Sequence, residues 1–125
     1  MCTFTQEPVL DTTTLRAYLP DQPADAIAFL SMLEETYASS SAACLEALRA
    51  ACATCDEVAL RKAAHSFKGA CLSLGATELA RMLEALEHPV TVLTWDVAGG
   101  LVAQVERASA SVPRGFAALK RSLEA

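Results

Sequence analysis

The sequence predicts an all-α fold: an antiparallel, up-down four-helix bundle with a short N-terminal covering helix and a long last helix. Three observations predict it. Hydrophobic residues make up 53% of the chain and aromatics only 6%, with alanine supplying much of the apolar share, which suits helices packed closely through small and medium side chains. Apolar residues recur at helical spacing in several long segments. Helix-stopping residues, among them Pro20, Gly75 and Pro89, fall between those segments. A chain of 125 residues fits one domain, spanning 1–125, and can bury roughly two thirds of its unfolded surface. No internal repeat, linker or low-complexity tail is visible.

Taken in order, Asp11 to Leu19 begins with cap-favouring residues and ends at Pro20, a short first helix that covers one end of the bundle. Pro23 suits a first helical turn and opens a second helix reaching about Thr54, with Ile27, Leu30, Leu33 or Glu34, Tyr37, Cys44 or Leu45, Leu48 and Cys52 at helical spacing. Ser39 to Ser41 weaken it without breaking it. Asp56 caps a third helix that ends at Gly75, the usual residue for the left-handed position after a helix. A fourth, short helix starts at Thr77-Glu78, turns Leu79, Met82 or Leu83 and Leu86 inward, and stops at His88-Pro89. After a turn from Pro89 to Thr94 the last segment carries Trp95, Val97, Leu101, Val105, Val112, Phe116, Leu119 and Leu123 in helical register. Gly99, Gly100 and Pro113 interrupt it, so the expectation is a long bent helix or two shorter ones.

Charge and composition narrow the function classes. A net charge of −5 argues against nucleic acid, which requires clustered Lys and Arg. No run of about 18 apolar residues exists, and the N-terminus lacks the basic start and apolar centre of a signal peptide, so the expectation is a cytoplasmic protein with no membrane segment. Five cysteines, at 2, 44, 52, 55 and 71, are an odd number without an export signal, and most are expected to be reduced and buried. Cys52 and Cys55 have CxxC spacing, yet no second CxxC or His pair completes a metal site. An intact Met1 and the lack of a flexible tail favour a stand-alone protein, expected to be a monomer.

The third helix carries the chemistry. Leu60, Ala64, Phe67, Cys71 and Leu74 form its apolar stripe. At roughly 100° per residue His65 points about 140° away from that stripe, with Lys68 and Gly69 neighbouring it at three and four residues' distance. Val58 and Leu72 fall on the same outward face, where the core pattern requires nothing apolar, and form a candidate docking surface beside Arg61, which can steer an acidic partner. A glycine mid-helix costs about 1 kcal/mol relative to alanine, so Gly69 wants a functional or packing reason.

These residues, His65-x-x-Lys68-Gly69 followed by Gly75-Ala76, Leu79 and Leu86-Glu87, together with Leu30, Leu33 and Tyr37 upstream, resemble the histidine-containing phosphotransfer (HPt) domain family of bacterial and plant multistep two-component signalling. The resemblance covers nearly the whole chain. Phe67 departs from it, standing where the family usually has leucine. It implies a four-helix bundle with a covering helix, whose exposed histidine accepts a phosphoryl group from a receiver-domain aspartate and passes it to another receiver. His65 is then the phosphoacceptor, Lys68 the group that stabilises phosphoryl charge and Gly69 the steric clearance. The implied partners are receiver domains of response regulators or of a hybrid histidine kinase. The implied Mg²⁺ belongs to the receiver, and this chain needs no cofactor and no metal of its own.

Elementary chemistry fits that implication. Histidine as a residue type is mostly neutral near pH 7.5 and nucleophilic at nitrogen, and an acyl phosphate is already activated, so a carrier needs little beyond an accessible imidazole and some charge compensation. A kinase activity is not expected, because no Gly-rich nucleotide loop is present. Two other classes compete: a bundle that docks a kinase or receiver domain without being phosphorylated, and a thiol or metal function at Cys52 and Cys55. Glu34-Glu35 and Glu84/Glu87 are most simply solvated helix faces, His88 a cation at a helix end, and no carboxylate cluster is expected near His65.

Overall fold

The computed structural model describes residues 10–89 and 92–124; Cys2 and part of the expected turn before Thr94 lie outside them. Five helices follow one another: α1 (Thr12–Arg16), α2 (Pro23–Ala53), α3 (Glu57–Leu74), α4 (Thr77–Glu87) and α5 (Trp95–Glu124). No strand occurs among the described residues. Short connections make successive helices antiparallel neighbours, and α2, α3, α4 and α5 close a ring in which each packs on the next, α5 returning to α2, while α1 lies against α3.

Local sequence sets the helix ends. The Asp56 carboxylate accepts the Ala59 N–H at 3.1 Å and starts α3. Gly75, at φ 81°, ends it in the left-handed region. A side chain at Gly75 would collide with the Asp11 backbone, whose N–H donates to the Gly75 carbonyl at 2.6 Å. That contact seats α1, with Leu15 buried beneath it, on the α3–α4 turn. Thr94 caps α5, its hydroxyl accepting the Val97 N–H at 3.2 Å.

The core is one cluster built from Leu30, Tyr37, Leu48, Leu60, Phe67, Leu83, Val105, Phe116 and their neighbours. All five residues of the α3 stripe are buried. In α2 the tightest positions are Ala26, Leu30, Tyr37, Ser41, Leu48 and Ala51, while Leu33, Cys44, Leu45 and Cys52 pack at the margin. In α5 the expected register slips by one at its start: Ala98 and Val102 are buried, Val97 is exposed and Leu101 only half-buried.

Of the two expectations for the last segment the single long helix is found: α5 is continuous with Pro113 inside it; Pro113 is exposed, and buried Val112 and Phe116 on either side anchor both halves to the core. Three further expectations are corrected. Of the described cysteines, all free thiols, only Cys71 is buried, Cys44 and Cys52 being intermediate and Cys55 exposed. Glu34 is not a purely solvated acid, since it accepts from Lys120 Nζ at 2.7 Å across the α2–α5 seam. The first helix closes at Arg16, with turn residues reaching Tyr18.

Candidate functional site

The α3–α4 hairpin assembles the site. His65 and Glu87 each lie eleven residues from Ala76, and Lys68 and Glu84 each lie eight. Two antiparallel helices joined by a tight turn at Gly75-Ala76 therefore bring each pair level. His65 Nδ1 stands 2.6 Å from Glu87 Oε2. Lys68 Nζ donates to Glu84 Oε1 at 2.7 Å and lies 2.7 Å from Glu87 Oε1. The reading of Glu87 as a solvated face is thus overturned, while Glu84 stays half-exposed and gains Lys68 as a partner.

The two carboxylates are unlike. Glu87's side chain is 10% exposed and Glu84's 49%. Glu87 continues the inward row Leu79, Leu83 of α4 at four-residue spacing, and an acid in an apolar register was the signal in the sequence that could have revealed it. Lys68 holds the Glu87 carboxyl below the ordinary carboxylate range, with burial opposing and His65 adding to the effect. Hydrogen bonds to Glu84 and then Glu87 raise the Lys68 ammonium above its ordinary value. Glu87 is accordingly ionised near neutrality and can only accept hydrogen bonds.

That fixes the histidine. With an acceptor at Nδ1, the neutral imidazole carries its proton on Nδ1 and keeps its lone pair on Nε2. The side chain is 70% exposed, so the lone pair on Nε2 belongs to a ring open to solvent and oriented from beneath. His88, the C-cap of α4, places Nε2 3.3 Å from the same Glu87 Oε2. An open hollow of about 470 Å³ lined by Arg61, Lys62, His65, Ser66, Glu87 and His88 adjoins the ring.

The remaining expected site residues fall as follows. Gly69 is exposed, and a Cβ there would meet nothing within 4 Å, so packing within the described chain gives no reason for a glycine. Val58 and Leu72 are exposed on α3 on either side of His65. Arg61 is paired along the helix with Glu57. Lys68 is not a freely mobile charge: its side chain is 19% exposed and tied to α4. Among the described residues no group of His, Cys, Asp and Glu is arranged to hold a metal ion, and no helix is long and apolar enough to cross a membrane.

A family model described as Hpt domain matches residues 32–124, a span that contains every residue of this site. No curated protein and no solved structure matches the chain significantly.

Proposed function

The chain belongs to the Hpt domain family, whose members carry out histidine phosphotransfer in two-component signalling, and from that premise we propose that His65 is a phosphocarrier, taking a phosphoryl group from a receiver-domain aspartate and passing it to a second receiver. The observation that carries this reading is the Glu87 carboxylate at 2.6 Å from Nδ1 of an exposed imidazole. The Nε2 lone pair attacks phosphorus, the N–P bond forms, and the acyl-phosphate O–P bond breaks to release the aspartate carboxylate. The ring becomes a phosphoimidazolium whose positive charge sits on the Nδ1–H, bonded to Glu87. A second receiver's aspartate reverses the same step.

The rest of the site has subsidiary roles. Gly69 leaves the approach to Nε2 open, Lys68 lies within one helical turn of the incoming charge, and Val58, Leu72 and Arg61 form the docking rim of a small transient interface. The Mg²⁺ that phosphoryl transfer uses belongs to the receiver, so the chain itself acts as a carrier without kinase activity.

Transfer from phosphorylated receiver domains to the wild type and to His65→Gln tests this. Acid-labile, alkali-stable label on the wild type alone is the expected result. Label that persists in His65→Gln, or a panel of receivers that leaves the folded wild type unlabelled, would overturn it in favour of a docking module.

A further inference from the structure

Lys68 is shared. Its ammonium donates to Glu84 Oε1 at 2.7 Å and lies equally close to the buried Glu87 Oε1, so two carboxylates share one cation. With three N–H donors the ammonium serves both carboxylates, and Glu84 competes with any further anion for it. One lysine faces two carboxylates, so this corner carries a net charge of −1 before any phosphoryl group arrives. A phosphoryl group on Nε2 brings about two further negative charges, and they meet a Lys68 already shared by Glu84 and Glu87.

We infer that Glu84 is a positioning residue that keeps the phosphohistidine high in energy by holding Lys68 back from it. This rests on the phosphocarrier reading of His65. The consequence is functional: a carrier must give up what it receives, and a lysine committed to Glu84 stabilises the phosphorylated form less than a free one would. Glu84 is half-exposed and outside the apolar core, so its replacement leaves the bundle intact.

Phosphoramidate, a small phosphoryl donor, tests the inference without a receiver. Its N–P bond breaks as the His65 Nε2–P bond forms, and ammonia leaves. The fraction of His65 phosphorylated at fixed phosphoramidate and ammonia, read from the ring's NMR signals, gives an equilibrium constant for wild type, Glu84→Gln, Lys68→Gln and the double variant. Glu84→Gln is expected to raise it about fivefold, in line with a partly exposed charge pair. The gain should shrink with added salt and fall below about twofold in the Lys68→Gln background. No gain, a loss, or an equal gain without Lys68 would overturn the inference. Receivers failing to label a protein that behaves as expected with phosphoramidate would instead overturn the phosphocarrier reading alone, and a wild-type His65 that phosphoramidate cannot label would overturn both.

Discussion

Glu87 does at the residue scale what His65 cannot do for itself: it selects the tautomer. A carboxylate held ionised by Lys68 accepts from Nδ1 and leaves the lone pair on Nε2, and under the proposed function it would then face the cationic ring of the product. Glu87→Gln removes the charge and keeps an acceptor, so it should lower the phosphoryl-transfer rate about tenfold, the difference between a charge-assisted and a neutral hydrogen bond, with the helical circular dichroism unchanged. The same variant should alter the acid limb of stability. Glu87's folded value lies below its unfolded one, so its contribution is complete above the ordinary carboxylate range, about pH 4, and disappears as pH falls through the folded value. Urea titrations from pH 6 down to pH 2 should show that loss in wild type and a weaker one in Glu87→Gln. His65 and its neighbours Lys68 and Gly69 were legible from their spacing on one helix. Glu87 was not read, because its partner is 22 residues away and only the hairpin about Ala76 makes them neighbours.

Two glycines, eligible for the same substitution, separate the work of an element from the work of its surface. Gly75→Ala forces a side chain into left-handed backbone and against Asp11, so it should destabilise the bundle by more than about 1 kcal/mol and detach α1. Gly69→Ala meets open space and should stabilise α3 by about 1 kcal/mol while slowing transfer from a receiver; denaturant unfolding and transfer kinetics on the pair check both. The ends of α2, α3 and α4 were legible because Pro23, Asp56, Gly75 and His88-Pro89 are local stop and start signals. The start of α5 at Trp95 was legible as well, but its inward register was not: Ala98 and Val102 lie inside in place of Val97 and Leu101, and Val112 and Phe116, buried on either side of Pro113, pin the continuous helix to the core.

Across the whole molecule, α2, α3 and α5 meet at a polar seam within the core. The Tyr37 hydroxyl and Ser109 Oγ are 2.7 Å apart and buried, Tyr37 packs at 6.4 Å from Phe67 between ring centres, and Cys71 is fully buried. Burial pushes both the Tyr37 phenol and the Cys71 thiol up to about 12. Folded values raised above the unfolded ones stabilise fully at lower pH and are lost as pH rises through them, so the melting temperature should fall between about pH 9 and pH 12. Tyr37→Phe should remove part of that slope. Such long-range pairing was foreshadowed by the apolar periodicity of α2, α3 and α5, although which polar atoms meet within it depends on the assembled bundle. Whether Glu87 presents Nε2 of His65 for phosphoryl transfer is decided by long-range ¹H–¹⁵N NMR of ¹⁵N-histidine-labelled protein before and after phosphorylation by a receiver. The Nδ1–H tautomer is expected at His65 before transfer and phosphorus bonded to Nε2 after it. An Nε2–H tautomer in the free protein, or a phosphoryl group found on Nδ1 or on another residue, would contradict it.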